Sequence, residues 1–355
     1  MRRAILHIGV PRTGSTSLQF VWTRHRAALR DLGILYPDLT PAGAAPHLSH
    51  QHLLEAMDAR RPDELFAQLE DQLRCDADTI ILSQEILAHR NPQGAILRRL
   101  RNLLNNAGCS TKALAVVKAP AESANSHYTI NTLFLRSDTD FAGHLRRWSA
   151  RKPLDLSARL LPWQAACDQG LLLLPLHASP LEPLIKRVWN AAGILDRAGH
   201  LLTPEDLTRL ENRSAGPVAI EACRRLAAAG LRRGHGDEQA RRVTRLVEDV
   251  ARARGADVEG FQGYDEALYA SMEARWARSN ERLAKATWGE PWSTRMRAQP
   301  LRPPNELART GDPDGLRLVH EVLTEVCSKL DVPVPGPVPI GWWSRLRRQR
   351  PATGA

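Results

Sequence analysis

The feature that most constrains this chain is an alternation of short, dominantly apolar runs with longer stretches of helical periodicity. Ala4–Ile8, Thr79–Leu82, Ala113–Val117 and Leu171–Leu176 are runs of strand length, and Leu32–Pro37 is a further short one stopped by proline. A run apolar on both faces suits a strand buried on both sides, as in parallel sheets covered by helices. After Ser15 the spacing turns helical, with Leu18, Val21 and Trp22 on one face, and helical patterns recur around 141–149 and over 217–232, 238–254 and 264–287. Strands separated by helices predict an α/β fold: a three-layer α/β/α sandwich on a central parallel sheet, with a helical C-terminal half. The expected organisation is one domain over 1–297, with its core sheet within 1–182 and a helical part over 183–297. A Pro-rich and basic extension over 298–355 follows.

The bulk numbers narrow the function. The 355 residues carry a formal net charge of +10, which attracts polyanions such as nucleotides, acidic glycans or anionic lipid. The arginines are spread over helical faces rather than blocked together, so most read as solvated surface and no nucleic-acid partner is expected. The five cysteines form no C-x-x-C pair and no zinc set, which fits a reducing, cytoplasmic setting. The apolar run at the N-terminus is too short for a signal peptide, and no stretch approaches the roughly 20 residues of a membrane span. The end of the chain, Trp342 to Arg350, is basic with two aromatics. It suits peripheral contact with an anionic membrane or simple fraying.

The chemistry concentrates in Gly9-Val10-Pro11-Arg12-Thr13-Gly14-Ser15-Thr16, which joins a buried strand to a helix. Two glycines five apart let the backbone curl, and the helix start adds amides and partial positive charge, together an anion site. The spacing matches G-x-x-x-x-G-K-[ST], except that Ser15 stands where that loop has Lys, and the cation is Arg12, inside the loop.

The longer run His7-Ile8-Gly9-Val10-Pro11-Arg12-Thr13-Gly14-Ser15-Thr16-Ser17-Leu18-Gln19 resembles the 5′-phosphosulfate loop of the sulfotransferases that use 3′-phosphoadenosine 5′-phosphosulfate (PAPS), seen as H-I-G-x-P-K-T-G-[ST]-[ST]-[ST]-L-Q. Leu32–Pro37 resembles a segment of bacterial members. Asn212-Arg213-Ser214 and Ser279–Leu283 are weaker echoes. The resemblance implies a parallel sheet of the P-loop nucleotide-binding type, with Pro11, Arg12, Thr13, Gly14, Ser15 and Thr16 on the donor. Arg12 replaces the family's Lys on the leaving phosphate. Arg keeps the charge but cannot act as an acid near neutral pH, so its role is electrostatic. The family's second hallmark, a strand-end Arg with Ser eight residues later, is matched by Lys118 and Ser126, which the resemblance assigns to the 3′-phosphate.

Leu82-Ser83-Gln84-Glu85 looks like the family's S-x-E, whose Glu serves as base, so Glu85 is the expected base and His7 the alternative. His47, His50 and His52 resemble a segment lining the acceptor side; lacking carboxylate or Cys partners they do not read as a metal site. The implied reaction moves a sulfuryl group from PAPS to a hydroxyl of a glycan or another small molecule, without a metal. The product nucleotide is 3′-phosphoadenosine 5′-phosphate. Two other readings stay open: a P-loop-type kinase, and a catalytically degenerate nucleotide- or glycan-binding module.

Overall fold

A computed structural model describes residues 2–59, 62–150, 154–177, 182–208, 215–231, 237–297 and 299–338. The basic Trp342–Arg350 end and the 212–214 segment lie outside them. The chain forms two compact units. The first is built from Met1–Ala119, Asp155–Asn212 and Trp276–Gln299, and the second from Pro120–Leu154, Arg213–Arg275 and Pro300–Ala355.

The first unit holds the sheet. Its strands are β1 (Arg2–His7), β2 (Ile34–Leu35), β3 (Thr79–Ser83), β4 (Cys109–Val117) and β5 (Leu171–Pro175), in the order β2-β3-β1-β4-β5 and all parallel. The chain is therefore α/β with an all-parallel sheet, and every expected strand is present. Alternation along β1 shows why the runs are apolar throughout. Ala4, Leu6 and Ile8 join one apolar cluster with Ile80, Leu82, Ala113 and Ala115, packed by helices Gln51–Asp58, Asp63–Gln72, Ala95–Asn106 and Leu156–Ala166. Ile5 enters another with Ile81, Leu114 and Val116, packed by helices Ser15–Arg24 and Leu184–Ala191. Residues on both faces leave water, so apolar side chains dominate both.

Within the first unit, β2 and β3 lie on one side of β1, and β4 and β5 on the other. The carboxyl end of β1 is thus where the topology changes direction, the usual ligand position in open parallel sheets. The register fixes what flanks it. His7 pairs with Ser83 on one side and Leu114 on the other. Past His7 the ladder ends, with the Ile8 amide donating to the Leu114 carbonyl at 2.9 Å and the Gln84 amide to the His7 carbonyl at 3.0 Å.

The second unit is helical among its described residues: Pro120–Leu133, Phe141–Ser149, Pro217–Ala228, Asp237–Ala253, Leu307–Thr310 and Pro313–Leu330, plus the start of Glu266–Thr287. Rings of Tyr128, Phe141, Phe261 and Tyr264 meet edge-on or tilted in its core. Pro313–Leu330 is an 18-residue helix within the region expected as an extension. No helix among the described residues is long and apolar enough to cross a membrane.

Candidate functional site

The loop after β1 is shaped by left-handed backbone at Gly9 (φ 37°), Arg12 (φ 69°) and Gly14 (φ 87°). Gly14 caps the helix Ser15–Arg24 in that conformation. Arg12 is the exception, because a side chain there strains the backbone and persists only where its surroundings hold it. The contacts that hold this loop include Lys118 Nζ donating to the Arg12 carbonyl at 2.9 Å and Thr13 Oγ1 donating to the Val10 carbonyl at 2.6 Å. Thr13 is fully buried, so it serves the loop's shape.

Three polar residues converge on Gly9. A Cβ added there would lie 3.0 Å from Glu85 Cβ, 3.3 Å from His7 Nε2 and 3.4 Å from Ser15 Oγ. Both His7 Nε2 and Ser15 Oγ are buried without a hydrogen-bond partner. Buried polar atoms without partners are uncommon and costly. Two of them lie around one glycine, under a loop that carries Arg12 and is braced by Lys118. The first-turn amides of the helix add partial positive charge on the same side.

A chain of hydrogen bonds runs below. Gln19 Nε2 donates to Glu85 Oε2 at 2.8 Å and to Ser83 Oγ at 3.1 Å, and Ser83 Oγ shares a 2.7 Å hydrogen bond with His7 Nδ1. Burial pushes the His7 imidazole down to about 4, so it is uncharged at neutral pH. Glu85 is half-buried, and Gln84 starts its short helix by accepting from the Ile86 amide. Gln19 and Ser83 link the two candidate bases. The sequence singled out neither, although Gln19 closes the loop motif and Ser83 opens S-x-E.

The histidine segment divides. His50 is buried, donates from Nε2 to the Pro37 carbonyl at 3.0 Å, and accepts the Ser83 amide at Nδ1 at 2.9 Å. Its two ring nitrogens tie the end of β3 to the chain that follows β2. His47 and His52 lie nearer solvent, their rings 6.2 Å apart; His47 Nδ1 accepts from Ser49, and His52 Nε2 donates to the Ala45 carbonyl. Among the described residues no group of three or more His, Cys, Asp or Glu could hold a metal.

Of the expected donor residues, Pro11 to Thr16 and Lys118 lie in the first unit. Ser126 lies on the helix Pro120–Leu133, in the second. The chain was compared with family models, with curated proteins and with solved structures, and none of the three gives a match.

Proposed function

We propose that this chain is a sulfotransferase that binds PAPS at the carboxyl end of β1. The observation that carries the reading is the convergence of Glu85, His7 and Ser15 on Gly9, beneath a loop that holds Arg12 and is braced by Lys118. On this reading the sheet and its helices are a three-layer sandwich of the P-loop nucleotide-binding type, working in the cytoplasm with its cysteines reduced. All five cysteines are unpaired. The loop amides and Ser15 hold the 5′-phosphosulfate, and Arg12 offsets the charge that builds on the leaving phosphate. An acceptor hydroxyl, on a glycan or another small molecule, attacks sulfur. Its O–S bond forms as the S–O bond to phosphate breaks, the electron pair goes to phosphate, and Glu85 takes the proton. Glu85 suits the base better than His7, because His7 is fully buried and out of reach while Glu85 is half-buried. With both His50 nitrogens engaged, acceptor contacts on that side fall to His47 and His52.

A kinase-type reading draws on one observation, the Lys118 ammonium beside a loop that lacks its own Lys. Calorimetry separates the two. Wild type should bind 3′-phosphoadenosine 5′-phosphate, and Arg12→Ala and Thr16→Ala should each weaken it. Saturation at 100 times the dissociation constant should raise stability by about 2.7 kcal/mol. Binding of MgATP without the bisphosphate would favour the kinase; binding of neither leaves a degenerate module.

A further inference from the structure

The resemblance assigns Lys118 to a 3′-phosphate, but its place in the fold sets it against the loop after β1. β4 runs past the end of β1: Leu114 is level with His7, and the Ile8 amide donates to the Leu114 carbonyl at 2.9 Å. Four residues further on, just past the end of β4, Lys118 reaches the loop. Its side chain is not splayed along the sheet edge towards solvent. The residue is only 4% exposed, and Nζ is 2.9 Å from the Arg12 carbonyl. An ammonium buried there is set against the concave loop whose own Lys position is filled by Ser15. Ser15 is itself 3% exposed, with a hydroxyl that has no partner.

We infer that Lys118 is the loop's second cation and reads the 5′ end group of the donor nucleotide, supplying through space the charge that Ser15 does not supply in sequence. The inference rests on the donor site proposed above. It assigns Lys118 a ligand group shared by every adenosine 5′-phosphate, with or without a 3′-phosphate. It also explains how a left-handed Arg12 is kept in place: one ammonium holds the Arg12 carbonyl and faces the anion that the loop encloses.

The test measures binding of 3′-phosphoadenosine 5′-phosphate and adenosine 5′-phosphate to the full chain and to Lys118→Met. Both ligands should weaken by the same factor, on the order of 10-fold or more, as for loss of one charge-assisted contact. The wild type's affinity should also fall more steeply with salt than the variant's, because a charge facing the ligand has been removed. A brace that only shapes the loop would leave the two salt slopes parallel. Loss confined to the bisphosphate returns Lys118 to the 3′-phosphate and overturns the inference while the donor site stands. So do parallel slopes, or no loss for either ligand. If wild type binds neither nucleotide, the donor site fails first and the inference falls with it. Should Lys118→Met not fold, Lys118→Gln reads the same ratio and slope.

Discussion

Gly9 shows how a single residue sets the site. Its φ of 37° is a backbone state that side chains rarely adopt, and its missing Cβ leaves the space that Glu85, His7 and Ser15 surround. Gly9→Ala should therefore lower stability by about 1–2 kcal/mol through backbone strain and crowding. It should also abolish binding of the bisphosphate at concentrations that saturate wild type; calorimetry on the folded variant reads this directly, and unchanged affinity would remove Gly9 from the site. Glu85→Gln keeps shape and its hydrogen bond to Gln19 but loses the basic charge. Turnover should fall about 10²–10⁴-fold with nucleotide affinity intact. His7→Asn is the companion. If it loses turnover with nucleotide affinity intact while Glu85→Gln keeps turnover, the base is His7. The loop was legible in sequence because glycines, hydroxyls and the cation are contiguous. The Gln19–Ser83–His7 chain was not, because its members lie on three elements and their meeting depends on strand register.

At the scale of elements, the strands were legible from residue type alone, since burial on both faces leaves a run with no polar phase. Pro313–Leu330 was legible in principle: Val319, Val322, Leu323, Val326 and Cys327 follow helical spacing and are all buried, behind an Asp312 that caps the Gly315 amide. Proline runs on either side masked it. The pinning of β3 by His50 could not be read, because both of its partners are backbone atoms whose positions come from the fold. Burial pushes the His50 imidazole down to about 4, below its ordinary 6.5, so folding favours the neutral ring. The resulting stability is fully present above pH 6.5 and is lost as pH falls towards 4. His50→Gln should be less stable than wild type at neutral pH. It should also lose less on acidification, the difference approaching about 3 kcal/mol near pH 4 by the linkage of pKa shift to stability. Denaturant titrations at pH 7, 5.5 and 4 give the comparison; identical pH slopes would show that His50 does not titrate with unfolding.

Over the whole molecule, two units built on different principles should answer pH differently. The second unit places charge inside a helical core. Arg224, 2% exposed, is held by Glu221 through two nitrogens, and Arg225 reaches the same carboxylate. Glu306 is 5% exposed and accepts the Phe141 amide at 2.8 Å. Burial raises its carboxyl to about 7; the amide bond and Arg224 oppose the shift, while Asp140 and Glu221 add to it. Because the folded value lies above the unfolded one, near 4.5, the native state holds more protons between them. Stability from this group is therefore full below pH 4.5 and lost as pH rises through 7, the opposite sense to His50. His144 in the same unit, pushed by burial down to about 3, works in the histidine sense, so the net profile of the wild type does not isolate Glu306. Substitution does. Glu306→Gln keeps an oxygen for the Phe141 amide and removes the titration. Between pH 4.5 and 7.5 the variant should gain on wild type by up to about 3 kcal/mol, the gain accumulating from pH 4.5 and levelling off above 7. Hydrogen exchange at the Phe141–Ser149 helix should slow in the same range. A stability difference that stays constant from pH 4.5 to 7.5 would mean that Glu306 ionises in the folded chain as it does in the unfolded one. Its carboxylate would then help to balance Arg224 and Arg225, which share the one charge of Glu221.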